Sequence, residues 1–425
     1  MATVAYQCPN CASPLIYDGT SGKMVCTACD SQFDQETIEL LNAPADGGTV
    51  DFTVPTEGYT AGDTAQLQAY HCKTCGAELV TESTTTATEC PYCGSPTILP
   101  DRIDGGIRPE MVVPFVITRE QAQEMFHGYF KGKALLPNIF KKDNQIAEMR
   151  KLFVPCWLFD CEARGSVVYD AEKESSYTDG DEEVTEVEHY IVRRGGSMSF
   201  ENIPVDGSIK MDDKISESLE PYDLAKAVAF TPAVLSGAMA DHADVDADAC
   251  EARAVNRATG SFKSALQDTI DGYTSISEKS SSVHVAGSKV TPVLLPVWLI
   301  TTVKDGKTYT FAINCQTGRL TCNVPTAKGK AFLWGAVSFA GILGLTALIL
   351  HLTRALGSGT LLMAAIFALF VTIGIVGTMI GKLKQATAQS GASGYACEGG
   401  LNLTIESDSY RYTKQERKKI EKSSD

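Results

Sequence analysis

Residues 72–93 read CKTCGAELVTESTTTATECPYC, and residues 8–29 read CPNCASPLIYDGTSGKMVCTAC. In each, a Cys-x2-Cys pair is followed after 14 residues by a second Cys-x2-Cys pair. Zinc takes soft thiolate donors in a tetrahedron. One Cys-x2-Cys turn places two sulfurs on one side of an ion, and a second turn, brought close by a hairpin, supplies the others. The reading assigns Cys8, Cys11, Cys26 and Cys29 to one structural Zn2+ and Cys72, Cys75, Cys90 and Cys93 to another. A quartet filled by cysteine leaves no open coordination position, so neither site is catalytic. Pro9, Pro91, Gly76 and Gly94 supply the tight turns. Ribbons this small have almost no core, so removing the metal unfolds them.

Working outward, the ribbons are expected at 1–41 and 69–100. Residues 42–68, rich in Gly, Thr, Ala, Asp and Pro, read as a flexible linker. Residues 101–325 alternate helix-like and strand-like segments and read as an α+β domain. Thr118 to Phe130 is a capped helix with Thr118 as N-cap and Gln121 three residues on. Lys151 to Tyr169 is rich in β-formers, and Asp246 to Ile270 has helical composition with acids in its first turn. The stretch from Leu294 reads as a hairpin turning at Asp305-Gly306, then at Thr317-Gly318. A short repeat links Val154-Pro155-Cys156-Trp157-Leu158 to Leu295-Pro296-Val297-Trp298-Leu299, each downstream of a helix-like stretch. The middle domain is thus read as a duplicated α+β unit with its two Trp residues buried at matching positions.

Two apolar runs follow, Phe332 to Leu350 and Leu361 to Ile380, within a hairpin at 331–381. They hold 19 and 20 residues without a charge, long enough to cross a bilayer. Lys328, Lys330, Lys382 and Lys384 flank the pair, which puts both ends in the cytosol and the short connector outside. Gly377 and Gly381 form a GxxxG suited to close packing of the two helices or pairing with another chain. Residues 382–425 read as a cytosolic tail with one strand-like piece, LNLTIESDSYRYT, and a basic end. The N-terminal MATVAYQCPNCASP has no basic region and no apolar run, so no cleaved signal peptide is expected. The expected location is the cell membrane, multi-pass, with both termini cytoplasmic. A reducing compartment keeps the thiols available for metal.

Charge argues against a broad nucleic-acid surface. The formal net charge is −15. Residues 1–100 hold Lys23 and Lys73 against twelve acids, or 2 − 12 = −10. Two zinc–thiolate centres add about −2 each. Such ribbons repel phosphate and favour protein partners. His71 beside Cys72 reads as an exposed neighbour, and the other histidines form no metal pattern. The Asp-rich stretch Asp241 to Asp248 lacks the Gly and Glu of a calcium loop and reads as helix-capping acids. Met211-Asp212-Asp213 reads as a helix start, and Cys156, Cys161, Cys250, Cys315, Cys322 and Cys397 as buried apolar residues. No phosphate loop, nucleophile elbow or dinucleotide fingerprint is present, so no catalytic residue is assigned.

Several of these motifs, CPNC…CTAC, CKTC…CPYCGSPTIL, KALLPNIF, VPCWLFD, IPVDGSIKMDD, SLEPYDL and LLPVWL, together with the closing hydrophobic pair, carry a family resemblance. The chain resembles the bacterial membrane proteins described as containing a transcription factor IIB-type zinc ribbon. The resemblance implies a zinc-binding membrane protein with no catalytic residues to carry over. The leading expectation is a membrane-anchored adaptor that presents its ribbons and α+β domain to protein partners. One version, suggested by the family's type, is recruitment of cytosolic partners during membrane stress. The alternatives are a membrane-tethered nucleic-acid-binding regulator and an enzyme with its site in the middle domain.

Overall fold

The computed structural model describes residues 6–9, 13–35, 38, 50–85, 89–96, 98–101, 106–131, 133–135, 149–304, 307–323, 327–353, 357–381, 387, 389 and 391–419. The first ribbon supplies β1 (Leu15–Asp18), β2 (Lys23–Cys26) and β3 (Gln32–Asp34), a separate three-stranded antiparallel sheet. Next come the one-turn α1 (Ala61–Thr64), then β4 (Leu67–Cys72), β5 (Glu78–Glu82) and β6 (Ile98–Asp101) from the second ribbon. The middle holds β7 (Met111–Val112), α2 (Arg119–Phe130), β8 (Arg150–Asp179), β9 (Glu182–Asp206) and α3 (Asp213–Leu219). It continues through β10 (Val228–Ala229), β11 (Met239–Asp241), α4 (Ala247–Gln267), β12 (Ser275–Lys304), β13 (Lys307–Asn314) and β14 (Leu320–Cys322). The chain closes with α5 (Lys328–Leu352), α6 (Ser358–Gly381) and β15 (Ala396–Lys419). The α+β class stands.

The duplication is real and far more extensive than five residues. The two Pro-x-Trp segments pair with each other: Val154 lies opposite Leu295, Pro155 opposite Leu294, and Phe153 opposite Pro296. A pseudo-two-fold axis therefore passes beside the Val154–Leu295 pair. Around it, β11 lies parallel to β8 at Leu152–Phe153, as β7 lies parallel to β12 at Val293–Leu294. Each long strand then turns back on a hairpin partner, β9 for β8 and β13 for β12. Each half is thus a β-α-β-β unit: β7-α2-β8-β9 and β11-α4-β12-β13.

The two Trp residues show why the motif recurs. Trp157 Nε1 donates to the Val245 carbonyl (2.8 Å), and Trp298 Nε1 to the Ile117 carbonyl (2.9 Å). Each acceptor sits one residue before the N-cap of its unit's helix, Asp246 for α4 and Thr118 for α2. A buried indole thereby fixes where each helix starts, and its N–H finds the partner that burial demands. Thr118 and Gln121 complete the expected capping box. Asp212 caps α3 at Lys214 N. Gly318, at the second expected turn, sits at φ +70°. The first turn, Asp305-Gly306, lies outside the described residues.

One face of α4 packs on the sheet. Cys250, Ala254, Ala258, Phe262 and Leu266 recur at helical spacing and meet Phe159, Cys161, Ala163 and Val167 of β8. There β12, β8, β9 and β15 form a four-stranded antiparallel ribbon. Gly165 and Gly196 lie opposite each other in it. A Cβ at Gly165 would lie 2.1 Å from the Ser282 carbonyl oxygen, and one at Gly196 2.0 Å from that of Asn402, so only glycine fits.

Three expected boundaries change. The second ribbon is not a unit apart: β5 pairs with β11, placing β4, β5 and β6 in the main sheet. The linker 42–68 is ordered from residue 50 on, because its few large apolar residues find sites; 42–49 lie outside the described residues. Phe52 stacks edge-on against Phe159 at 5.0 Å, and Asp63, inside the α1 capping box, accepts from Arg108 Nε (3.0 Å). The tail is likewise built in, since β15 runs antiparallel to β9 from Ala396 to Lys419 and takes up part of the basic end.

Helices α5 and α6 are long and apolar enough to cross a membrane, and they keep their apolar side chains outward. Phe332 is 80% and Phe370 70% exposed, unlike the core helices of a water-soluble fold. On α6 the buried residues are the small Ala364, Ala368 and Thr372, four apart on one face. A Cβ at Gly335 of α5 would meet Val376 at 3.8 Å and Thr372 at 4.0 Å. Gly377 and Gly381 face no described atom within 4 Å, so the GxxxG does not form the contact between the two helices.

Candidate metal centres

In the second ribbon Cys72 Sγ lies 3.7 Å from Cys93 Sγ, and Cys75 Sγ 3.6 Å from Cys90 Sγ. A disulfide needs about 2.05 Å. A tetrahedron with metal–sulfur bonds near 2.3 Å has edges of about 3.8 Å. The four sulfurs lie within 4.8 Å of one another, so the donor set fits a tetrahedral thiophilic ion. In the first ribbon Cys8, Cys26 and Cys29 cluster by the same criterion, with Cys8 and Cys29 sulfurs 3.6 Å apart. Cys11 lies outside the described residues.

The backbone around the sulfurs repeats. Cys8, Cys26, Cys72 and Cys90 each donate their amide to the carbonyl five residues on, in Ser13, Ser31, Ala77 and Ser95. Cys26, Cys72 and Cys90 each accept from the residue four on. That residue is Asp30, Gly76 or Gly94, with φ at +56°, +72° and +70°. A left-handed residue after the second cysteine folds the turn back and aims amides at the sulfurs. This is why glycine stands there twice.

The free thiols resist ionisation unevenly. Burial pushes Cys75 up to about 11 and Cys90 higher still. At Cys72 burial also works upward, but the amides of Cys75 and Thr74 and two neighbouring thiols outweigh it, and its pKa falls below the usual thiol value. A metal ion must displace the protons these sulfurs hold, so loading weakens as pH falls.

The second ribbon is held from outside at both turns. Lys210 Nζ donates to the Cys75 carbonyl (2.6 Å). Arg150 Nη1 donates to the Cys90 carbonyl (3.1 Å), and Arg150 also pairs with Glu89. Thr301 Oγ1 donates to the Pro91 carbonyl (3.2 Å). Tyr92, between two ligands, donates to the buried Asp241 (2.5 Å), which also accepts from Ser208. Burial lifts the Asp241 carboxyl to about 7 against the pull of these hydrogen bonds. Of the Asp-rich stretch, Asp246 and Asp248 do start α4, as expected. Asp241 instead ends β11 and ties that strand to the ribbon, a role its spacing alone did not reveal. A lone acid at the end of an apolar strand, Met239-Ala240-Asp241, was the available signal.

His71 is no ligand: it is part-exposed, with Nδ1 4.0 Å from Glu78. Cys156, Cys161, Cys250, Cys315 and Cys322 are buried as expected, whereas Cys397 is only half-buried on β15.

The chain is 31% identical over 356 residues to the "Uncharacterized protein YdjG" of Bacillus subtilis (strain 168), a match that covers 84% of this chain and 99% of the relative. No protein-family model matches the chain. No solved structure matches it either.

Proposed function

Since the chain belongs to the family of YdjG, we propose from its own geometry that it is a membrane-anchored adaptor with two structural zinc sites, whose first ribbon docks a protein partner. The observation that carries this reading is the first ribbon's independence. It has its own sheet and its own small core of Cys8, Met24, Cys26, Phe33 and Ile38. It nevertheless shows Ile16 at 59% and Tyr17 at 54% exposure. Residues 1–41 hold five acids and one lysine, so a partner with an apolar contact framed by basic residues fits best. The same charge argues against phosphate.

The anchor is the α5–α6 hairpin. Ala331 of α5 and Met379 of α6 both pack on the cluster around Phe126, Trp298 and Phe311. The outer ends of the hairpin therefore meet the α+β body together, which supports placing both on one side of the bilayer. Lys328 and Lys330 favour the cytosol for that side. The four-cysteine donor set and its spacing support Zn2+ as the resident ion. The resemblance to the IIB-type ribbon proteins agrees, and recruitment under membrane stress is the process we assign to it.

Crosslinking followed by pull-down from detergent extracts tests the adaptor reading. The intact chain is expected to recover a specific protein that an Ile16→Ser/Tyr17→Ser variant loses. Recovery of the same set by both chains would sink it.

A further inference from the structure

Acidic residues are unevenly spread along a chain whose net charge is −15. No Asp or Glu stands between Asp305 and Glu398, a run that covers β13, β14, α5 and α6. None stands between Glu124 and Asp143 either, and that run holds the C-terminal end of α2. The fold brings the two runs together. Ala327 N, just before α5, donates to the Leu135 carbonyl (3.0 Å). Tyr129 Oη of α2 and Cys322 Sγ of β14 are hydrogen-bonded (3.1 Å). Ala331 and Met379 pack on the cluster that contains Tyr129, Leu135 and Cys322, so both ends of the hairpin meet there.

This meeting point marks the level at which the hairpin leaves the body. Ala331 packs on the cluster, whereas Phe332, the next residue, is 80% exposed. With α5 and α6 read as membrane-spanning, the apolar side chains from Phe332 on lie in hydrocarbon, and the body around Tyr129 and Leu135 lies at the headgroup layer. Four described lysines stand at that level. Lys131 is the C-cap of α2, Lys133 follows it, and Lys328 and Lys330 occupy the first turn of α5. Lys131 and Lys328 are exposed and make no ion pair among the described residues. Lys133 Nζ lies over the Tyr129 ring (2.8 Å to its centroid), a contact that leaves the charge in place.

The neighbouring acids do not cancel this charge. Glu120 and Glu124 of α2 sit at least seven residues before Lys131, about 10 Å along the helix axis. The acids of α3, which packs beside β14, are matched by arginines: Asp213 and Glu217 by Arg253, and Glu220, just after the helix, by Arg257. Asp305, which bounds the longer run, stands between Lys304 and Lys307 in the sequence. Lys131 and Lys133 also owe nothing to the rule that sets topology, since that rule acts through residues close in sequence to a span. They lie far upstream, and only folding brings them to the hairpin. A basic patch on an acidic chain, continuous with a membrane hairpin, fits the negative surface of a bilayer, and lysine stems are long enough to reach its phosphates.

We propose that the body seats on the bilayer through this patch, with the ammonium groups of Lys131 and Lys133 binding the phosphates of anionic phospholipid headgroups. The proposal rests on the membrane-anchored reading of the hairpin. Native mass spectrometry of the full, zinc-loaded chain, released from nanodiscs of equal phosphatidylglycerol and phosphatidylcholine, tests it by counting the lipids retained. Phosphatidylglycerol is expected to exceed phosphatidylcholine by at least about fivefold. Lys131→Gln/Lys133→Gln is expected to bring the two lipids close to parity, with zinc content and unfolding temperature unchanged. Lys131→Arg/Lys133→Arg, which keeps the charge, is expected to keep the preference. So is Lys279→Gln, near the other end of the long strand β12. Should the double Gln variant lose zinc, Lys131→Glu, at one exposed side chain, is expected to lower the preference in its place. Equal retention of the two lipids by the intact chain overturns the proposal. So does a preference that the Lys131 variants leave unchanged, or one that Lys279→Gln lowers as much. Alkaline carbonate extraction separates the two readings. A chain stripped from the bilayer sinks the anchor itself, whereas one that stays embedded without a lipid preference sinks only the headgroup contact.

Discussion

The two ribbons share one cysteine spacing and end in opposite situations. The second is part of the body: its strands extend the main sheet, and Lys210, Arg150, Thr301 and Asp241 hold its turns. The first keeps a separate sheet, its own buried core around Cys26 and Phe33, and an exposed cysteine, Cys29. The same cysteine spacing therefore stands in two settings. On the proposed reading, an ion in the second ribbon would complete the fold of the body, and one in the first would sustain a small surface that the body does not need.

The sharpest way to break this comparison is to remove one ligand from each. Cys90→Ser and Cys26→Ser are each expected to cost one zinc per chain by metal analysis. Only Cys90→Ser should lower the main unfolding transition, by several kcal/mol, given that structural zinc contributes on the order of 10 kcal/mol to the fold it organises. Cys26→Ser should leave that transition within about 0.5 kcal/mol. A chelator should draw one zinc quickly, from the site with exposed Cys29, and the second only as the body opens. Equal shifts in the two variants, or release of both ions in one phase, would abolish the distinction.

A smaller effect should come from the Tyr92–Asp241 bond. Tyr92→Phe leaves a buried acceptor short of a donor, at a cost of about 1–3 kcal/mol, and should speed release of the slow zinc only. The pH dependence has a definite sign. Asp241 is lifted from 3.8 to about 7 in the folded chain, so between those values the folded state holds a proton that the unfolded state has lost. Its contribution is full below the unfolded value and declines as pH rises through about 7. Asp241→Asn should flatten that decline between about pH 4 and 7 in chemical unfolding curves. An unchanged slope would show that Asp241 is not the group responsible.

What could be read from the sequence follows from the range of the interactions. Cysteine spacing, the Thr118–Gln121 cap and the two apolar runs are local patterns, and each appears where expected. The Pro-x-Trp repeat pointed to a duplication but not to its symmetry, because the Val154–Leu295 pairing joins residues far apart in the chain. Composition misread the linker, since an average over 42–68 hides Phe52, whose partner Phe159 is over a hundred residues away. Asp241 read as a helix-capping acid. Its burial rests on Tyr92, 149 residues away, which no local window contains.

The smallest stability effect, and the most direct probe of the comparison, belongs to Ile16 and Tyr17. Both sit on β1, an edge strand of the first ribbon's sheet, and expose more than half their surface. Replacing both by Ser removes apolar area that is already in water, so unfolding should move by no more than about 0.5 kcal/mol. Zinc content should stay at that of the unmodified chain, because neither residue touches the sulfurs' backbone pattern of Cys8–Ser13 and Cys26–Ser31. Partner recovery should nonetheless fall at least tenfold, since a few central residues carry most of the binding energy of an interface and this exposed pair is the proposed centre. The same exchange at a buried pair of the second ribbon, Leu79 and Val80, should unfold it instead. If the Ile16→Ser/Tyr17→Ser chain lost its zinc, the first ribbon would need that surface for folding, and the division between a structural and a presented ribbon would fail.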